Sequence, residues 1–146
     1  MEAIATLPNL KVFHLSVWDN QLAASYLAYI CRHVPPQLSV LSLSSGQSGC
    51  SDDRSTFSDL WAYFTDLSFL NLRIRGSSST ALTVQEVIRG AKRLQLVGYE
   101  KQLREVVYGD GGPVALPAWS ARKVKLCEIE DFGCESWNWV IRHLVL

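Results

Sequence analysis

An apolar triplet of spacing Leu-x-x-Leu-x-Leu returns along this chain, and it constrains the fold more than any other feature. Leu10, Phe13 and Leu15 form the first copy, Leu38, Leu41 and Leu43 the second, and Leu67, Leu70 and Leu72 the third. Weaker copies follow at Ala91, Leu94 and Leu96, at Ala121, Val124 and Leu126, and at Ile141, Leu144 and Leu146. Their central positions 13, 41, 70, 94, 124 and 144 are 28, 29, 24, 30 and 20 residues apart. The last two residues of each triplet alternate with their neighbours, as expected of a strand with one face buried. Recurrence at separations of this length marks a repeating supersecondary unit of irregular length.

The intervals between triplets read as helices. After Asn20, a candidate N-cap, Leu22, Tyr26, Leu27, Ile30, Cys31 and Val34 recur at helical period. Pro35-Pro36 ends that helix, because proline has no N–H and disfavours the α conformation in the residue before it. Phe57, Leu60, Trp61 and Phe64 make a second apolar stripe, with Thr56 and Asp59 at capping-box spacing. Thr83 and Glu86 repeat that spacing before a third stripe of Val84, Val87, Ile88 and Ala91, and Leu82 can staple onto Val87.

Beyond residue 98 the pattern blurs. Tyr99, Leu103, Val106 and Val107 fit a helix face, while LREVVY also reads as a strand. The glycine cluster 109–112 with Pro113 opens a loop expected over 109–120. A strand is expected from Arg122 to Ile129, and residues 136–146 fit a terminal helix or a strand.

Composition narrows the function classes. At 146 residues and 48% apolar, the chain is expected to form one domain with a packed core. Lys plus Arg balance Asp plus Glu at 14 each, which argues against binding nucleic acid or membranes through bulk charge. The N-terminus lacks the basic and apolar regions of a secretory signal, and no stretch suits a membrane span. A reduced, cytoplasmic or nuclear protein is therefore expected, with Cys31, Cys50, Cys127 and Cys134 as thiols. They form no CxxC pair, so no zinc site is expected.

The strand triplet followed by a helix resembles the leucine-rich repeat proteins. Over residues 7 to 129 it looks most like the divergent repeats that follow the F-box in fungal F-box proteins. That resemblance implies an α/β fold: a short irregular leucine-rich-repeat-like solenoid filling a single domain, 1–146. About five units would stack parallel strands with helices on one face. It also implies a protein-interaction module, such as the substrate-recognition part of a ubiquitin-ligase adaptor, although no F-box-like segment precedes Leu7. The family's Asn or Cys three residues after the triplet is replaced by Trp18, Gly46, Arg75, Tyr99 and Ile129, which favours a flatter stack.

In such a stack the residues between the triplet leucines line the open face. One column would hold His14, Ser42, Asn71, Gln95 and Lys125, and a second Ser16, Ser44, Arg73, Val97 and Cys127. A third would hold Val12, Val40, Phe69, Arg93 and Lys123. The expected partner-binding residues are Val12, His14, Phe69, Asn71, Arg73, Arg93, Gln95, Lys123 and Lys125. They combine an apolar ridge with a basic patch suited to an acidic or phosphorylated protein segment. Pairing with Glu128, Glu130 and Asp131 would instead make that patch structural.

No catalytic constellation emerges, so no enzyme, cofactor or metal is expected. His14, His33 and His143 lie far apart in sequence, and Asp52-Asp53 is one carboxylate pair in a serine-rich loop. The glycine cluster lacks the lysine of a phosphate-binding loop. Trp119, Trp137 and Trp139 suit closure of the core's end. Two alternatives stand beside the interaction module. One is a small α/β enzyme with its site at the C-terminal strand ends, near Ser44, Arg75, Tyr99 and Glu128. The other is a structural protein that self-assembles through strand edges.

Overall fold

The computed structural model describes residues 4, 7–17, 24–45, 55–74, 82–99 and 101–120. Strands and helices alternate at first: β1 (Val12–Val17), α1 (Ala24–His33), β2 (Val40–Ser45), α2 (Ser55–Tyr63), β3 (Phe69–Ile74), α3 (Val84–Ile88) and β4 (Leu96–Tyr99). Two further strands follow without a helix, β5 (Gln102–Gly109) and β6 (Gly112–Ala115). They form one open six-stranded sheet in the order β1-β2-β3-β4-β5-β6.

The first four strands are parallel. Phe13 lies beside Leu41, Leu41 beside Leu70, and Leu70 beside Val97. The aligned positions 13, 41, 70 and 97 are thus 28, 29 and 27 residues apart. The fourth triplet is therefore Leu94, Val97 and Tyr99, and not Ala91, Leu94 and Leu96. Both sets are buried, so burial alone does not separate them. The aligned set wins because it keeps the strand in step with its neighbour.

The helices are set by the stripes the sequence carries. α1 buries Leu27 and Ile30, and its last carbonyls are used by Val34 N–H, which bonds Ile30 O at 2.9 Å, before Pro35 blocks continuation. α2 buries Phe57, Leu60 and Trp61. It begins at Ser55, so Thr56 sits inside its first turn and cannot be the expected N-cap. α3 does have its box: Glu86 N–H donates to Thr83 Oγ1 at 3.3 Å, and Thr83 N–H to Glu86 Oε2 at 2.9 Å. Gly90, at φ 97°, then reverses the chain in the left-handed conformation glycine tolerates, with Ala91 N–H bonding Ile88 O.

One apolar core joins these helices to the triplet face of the sheet. Leu41, Leu43, Leu70, Leu72, Val97 and Tyr99 share it with Leu27, Ile30, Phe57, Leu60, Phe64 and Ile88. Two aromatics of α2 tie neighbouring units together through their polar tips. Trp61 Nε1 donates to Val87 O at 2.9 Å, and the Tyr63 hydroxyl donates to Val34 O at 3.1 Å.

The strands are not all parallel, contrary to the expectation. β4–β5 and β5–β6 pair antiparallel, so Tyr99 ends β4 and Leu103, Val106 and Val107 lie on β5, and the four do not share a helix face. Asp110-Gly111 makes a two-residue hairpin turn between the paired Gly109 and Gly112, with Gly112 at φ 103°. The loop expected over 109–120 is thus partly strand. Beyond β6, Leu116 N–H reaches Glu105 O and Trp119 N–H reaches Leu103 O, each at 2.8 Å. The expected fifth and sixth triplets lie outside the described residues.

Leu70 is fully buried in the middle of the parallel ladder. Leu70→Ala should lower unfolding free energy by about 2–5 kcal/mol in urea titrations. Val107→Ala, on an exposed position of β5, should change it by less than about 0.5 kcal/mol.

Candidate functional site

The second face of the sheet, opposite the helices, is built by the residues that alternate with the triplets. Register fixes three columns there. Val12, Val40, Phe69 and Leu96 form one, His14, Ser42, Asn71 and Gly98 the next, and Ser16, Ser44 and Arg73 the third. The apolar column is buried at its centre: Val40, Phe69 and Leu96 are 0%, 1% and 0% exposed. The ridge expected to face a partner is therefore interior at Phe69. A row of large apolar side chains loses too much by facing water to stay open.

The middle column is a hydrogen-bonded chain. Asn71 Nδ2 donates to Ser42 Oγ at 3.1 Å, and Ser42 Oγ lies 3.0 Å from His14 Nδ1. With its oxygen accepting from Asn71, the Ser42 hydroxyl can give its proton to Nδ1, the tautomer with N–H on Nε2. Ser42 and Asn71 are buried, while His14 is half-buried on the edge strand. Gly98 closes the column, because a Cβ there would lie 2.3 Å from Asn71 Oδ1. Only glycine leaves room for that amide. Burial lowers the His14 pKa from its ordinary 6.5, since desolvation disfavours imidazolium.

The third column is the accessible one. Ser44 Oγ donates to Ser16 Oγ at 2.8 Å; Ser16 is exposed, and Ser44 and Arg73 are partly so. Among the described residues Arg73 enters no ion pair. Arg73 follows Ser16 and Ser44 in one row of the strand register, a set of residue types suited to carboxylate or phosphate oxygens.

Arg93 and Gln95 are placed elsewhere than expected. Both precede β4, in the turn at the N-terminal ends of the strands. Arg93 Nη1 pairs with Asp66 Oδ1 at 2.8 Å across neighbouring units, with both side chains largely exposed. Gln95 N–H bonds Ser68 O at 2.8 Å. This edge also carries a ladder of hydroxyls that sequence reasoning missed. Ser39 Oγ donates to Lys11 O at 3.3 Å and Ser68 Oγ to Ser39 O at 3.0 Å. These serines follow the first leucine of their triplets, and that position was the available signal. Lys123 and Lys125 lie outside the described residues, as do Arg75 and Glu128 of the alternative enzyme site. Tyr99 of that site is buried, with its hydroxyl donating to Leu82 O at 2.5 Å.

On the helical side, α1 and α2 flank an open groove of about 550 Å³ lined by Cys31, Arg32, Asp59 and Tyr63. Burial, helped by the Asp59 charge, pushes the Cys31 thiol up to about 11, so it is a protonated wall and not a nucleophile. His33 stacks on Tyr29 at 4.1 Å and shares a 2.9 Å hydrogen bond with the Tyr29 carbonyl through Nδ1. Among the described residues, no group of His, Cys, Asp and Glu could hold a metal ion, and no helix is long and apolar enough to cross a membrane. Comparison with known protein families, with curated proteins and with solved structures returned no match.

A His with a depressed folded pKa binds its proton more readily when unfolded. Stability should therefore be full above pH 6.5 and fall as pH drops from 6.5 through the lower folded value. The urea midpoint should show that decline, and His14→Gln should remove its share of it. A wild-type profile identical to that of the variant would contradict the burial of His14 on this face. Gly98→Ala should cost about 1–3 kcal/mol by crowding Asn71. The cost should shrink in an Asn71→Ala background, measured as a double-mutant cycle.

Proposed function

We propose that this chain is a protein-interaction module that reads an acidic or phosphorylated segment through the Ser16–Ser44–Arg73 column. The observation that carries the reading is a partly exposed arginine in register with two hydrogen-bonded serines on adjacent parallel strands. An Arg fork matches two oxygens of a carboxylate or phosphate, and flanking hydroxyls add donors. His14, on the same face one column away, borders the strip.

The strand–helix ladder from β1 to β4 is read as a short solenoid, and such stacks supply extended surfaces for partners. The resemblance to F-box-associated repeats supports a recognition role within a ubiquitin-ligase adaptor of the cytoplasm or nucleus. The enzyme reading loses support, because Tyr99 already spends its hydroxyl on a backbone carbonyl within the core.

The test is a binding screen against acidic and phosphoserine-bearing peptides. Arg73→Glu should weaken the best binder by about tenfold or more, the worth of a charge-assisted hydrogen bond. Arg89→Glu, an exposed position at the end of α3, should leave it unchanged. Equal effects of the two substitutions would remove the column as the site.

A further inference from the structure

The two edges of the sheet are treated very differently. An edge strand exposes unsatisfied N–H and C=O groups, and proteins blunt it with short strands, proline, charge or a covering group. β6 carries several of these devices. It has four residues, includes Pro113, and is clamped by the Gln85 amide from α3. Gln85 Nε2 donates to Pro113 O at 2.6 Å, and Ala115 N–H donates to Gln85 Oε1 at 3.3 Å. One side chain thereby occupies the outward donor and acceptor that a further strand would use.

Among the described residues, β1 carries none of them. Its six residues, Val-Phe-His-Leu-Ser-Val, include no charge, no proline and no glycine. Val40 N–H bonds Lys11 O, so 11, 13 and 15 turn their backbone groups toward β2. Val12, His14 and Ser16 consequently turn theirs outward, and among the described residues nothing pairs with that row. The core is unfinished on the same side. Phe13 and Leu15 are only partly buried, whereas their neighbours Leu41 and Leu43 are at 0% exposure.

We propose that β1 is a homodimer interface, in which two copies pair their β1 strands antiparallel about a two-fold axis through His14. This proposal is independent of the function assigned above. A head-to-tail assembly would need the β6 edge, which Gln85 occupies, so a second copy can only offer β1 itself. The strand is self-complementary in that register. His14 faces His14 of the other copy, and Val12 faces Ser16, giving about six backbone hydrogen bonds. On the helical face Phe13 lands opposite Leu15 in the close, non-hydrogen-bonded pairing, so each copy completes the apolar row the other leaves half-covered. The result is one continuous sheet with both helical layers on the same side. The two Ser16–Ser44–Arg73 columns then share the opposite face.

The wild-type chain is tested by sedimentation over a dilution series and by amide hydrogen exchange at single-residue resolution. A dimer of twice 16.3 kDa is expected, dissociating on dilution. In it, the amides of Val12, His14 and Ser16 should be protected alongside those of Phe13 and Leu15. On dilution the first three should lose protection while the last two keep it. Ser16→Pro deletes an outward donor without touching the β1–β2 ladder, and should give a folded monomer. Should that variant unfold, His14→Cys decides the matter, because paired strands bring the two Cα atoms within disulfide reach and oxidation should give a covalent dimer. A wild-type monomer at all concentrations overturns the proposal, whether the outward amides are exposed or are protected by another part of the chain. A dimer whose outward β1 amides exchange freely overturns it as well.

Discussion

The fold depends on adjacent parallel strands holding Leu41, Leu70 and Val97 in one line. Parallel strands cannot be joined by a tight turn, so each pair requires a crossover, and here each crossover carries a helix. Each helix must then bury its stripe on the face where those side chains converge. The face, the spacing and the helices follow from that one alignment. A slip of one residue would exchange every inward side chain for an outward one. Full burial of the triplet leucines on β2 and β3 is what opposes such a slip, each contributing about 1.5–3 kcal/mol.

The same alignment creates the second face. Once the triplets turn toward the helices, Val40, Phe69 and Leu96 must line up on the other side, and so must His14, Ser42 and Asn71. The apolar column is buried and the middle column satisfies itself along the row, each polar group bonded to the next strand's. That leaves the Ser16–Ser44–Arg73 column as the accessible part. That column lies toward the C-terminal ends of the strands, where the proposed partner would be met.

Much of this was legible in the residues. The first three triplets, the stop at Pro35, the Thr83 capping box and the shared column of His14, Ser42 and Asn71 can all be read from spacing alone. The fourth triplet was misplaced because Ala91, Leu94 and Leu96 satisfy the same spacing as Leu94, Val97 and Tyr99. Only the regularity of 28, 29 and 27 residues separates them. That shift moved Arg93 and Gln95 out of the sheet and turned Leu96 to the opposite face. The hairpin of β5 and β6 was hidden by its glycines, although Asp110-Gly111 between alternating segments is itself a hairpin signal. Gly98 had no local signature, since its need for a missing Cβ arises only from Asn71 on the next strand.

The central claim is the register between β3 and β4, and backbone NMR of the isotope-labelled chain tests it most directly. Cross-strand contacts should place Leu70 beside Val97 and Leu72 beside Tyr99, with the pattern of parallel strands. Contacts that instead set Leu70 beside Leu94, or short α-proton pairs of the kind antiparallel strands produce between β3 and β4, would contradict the account.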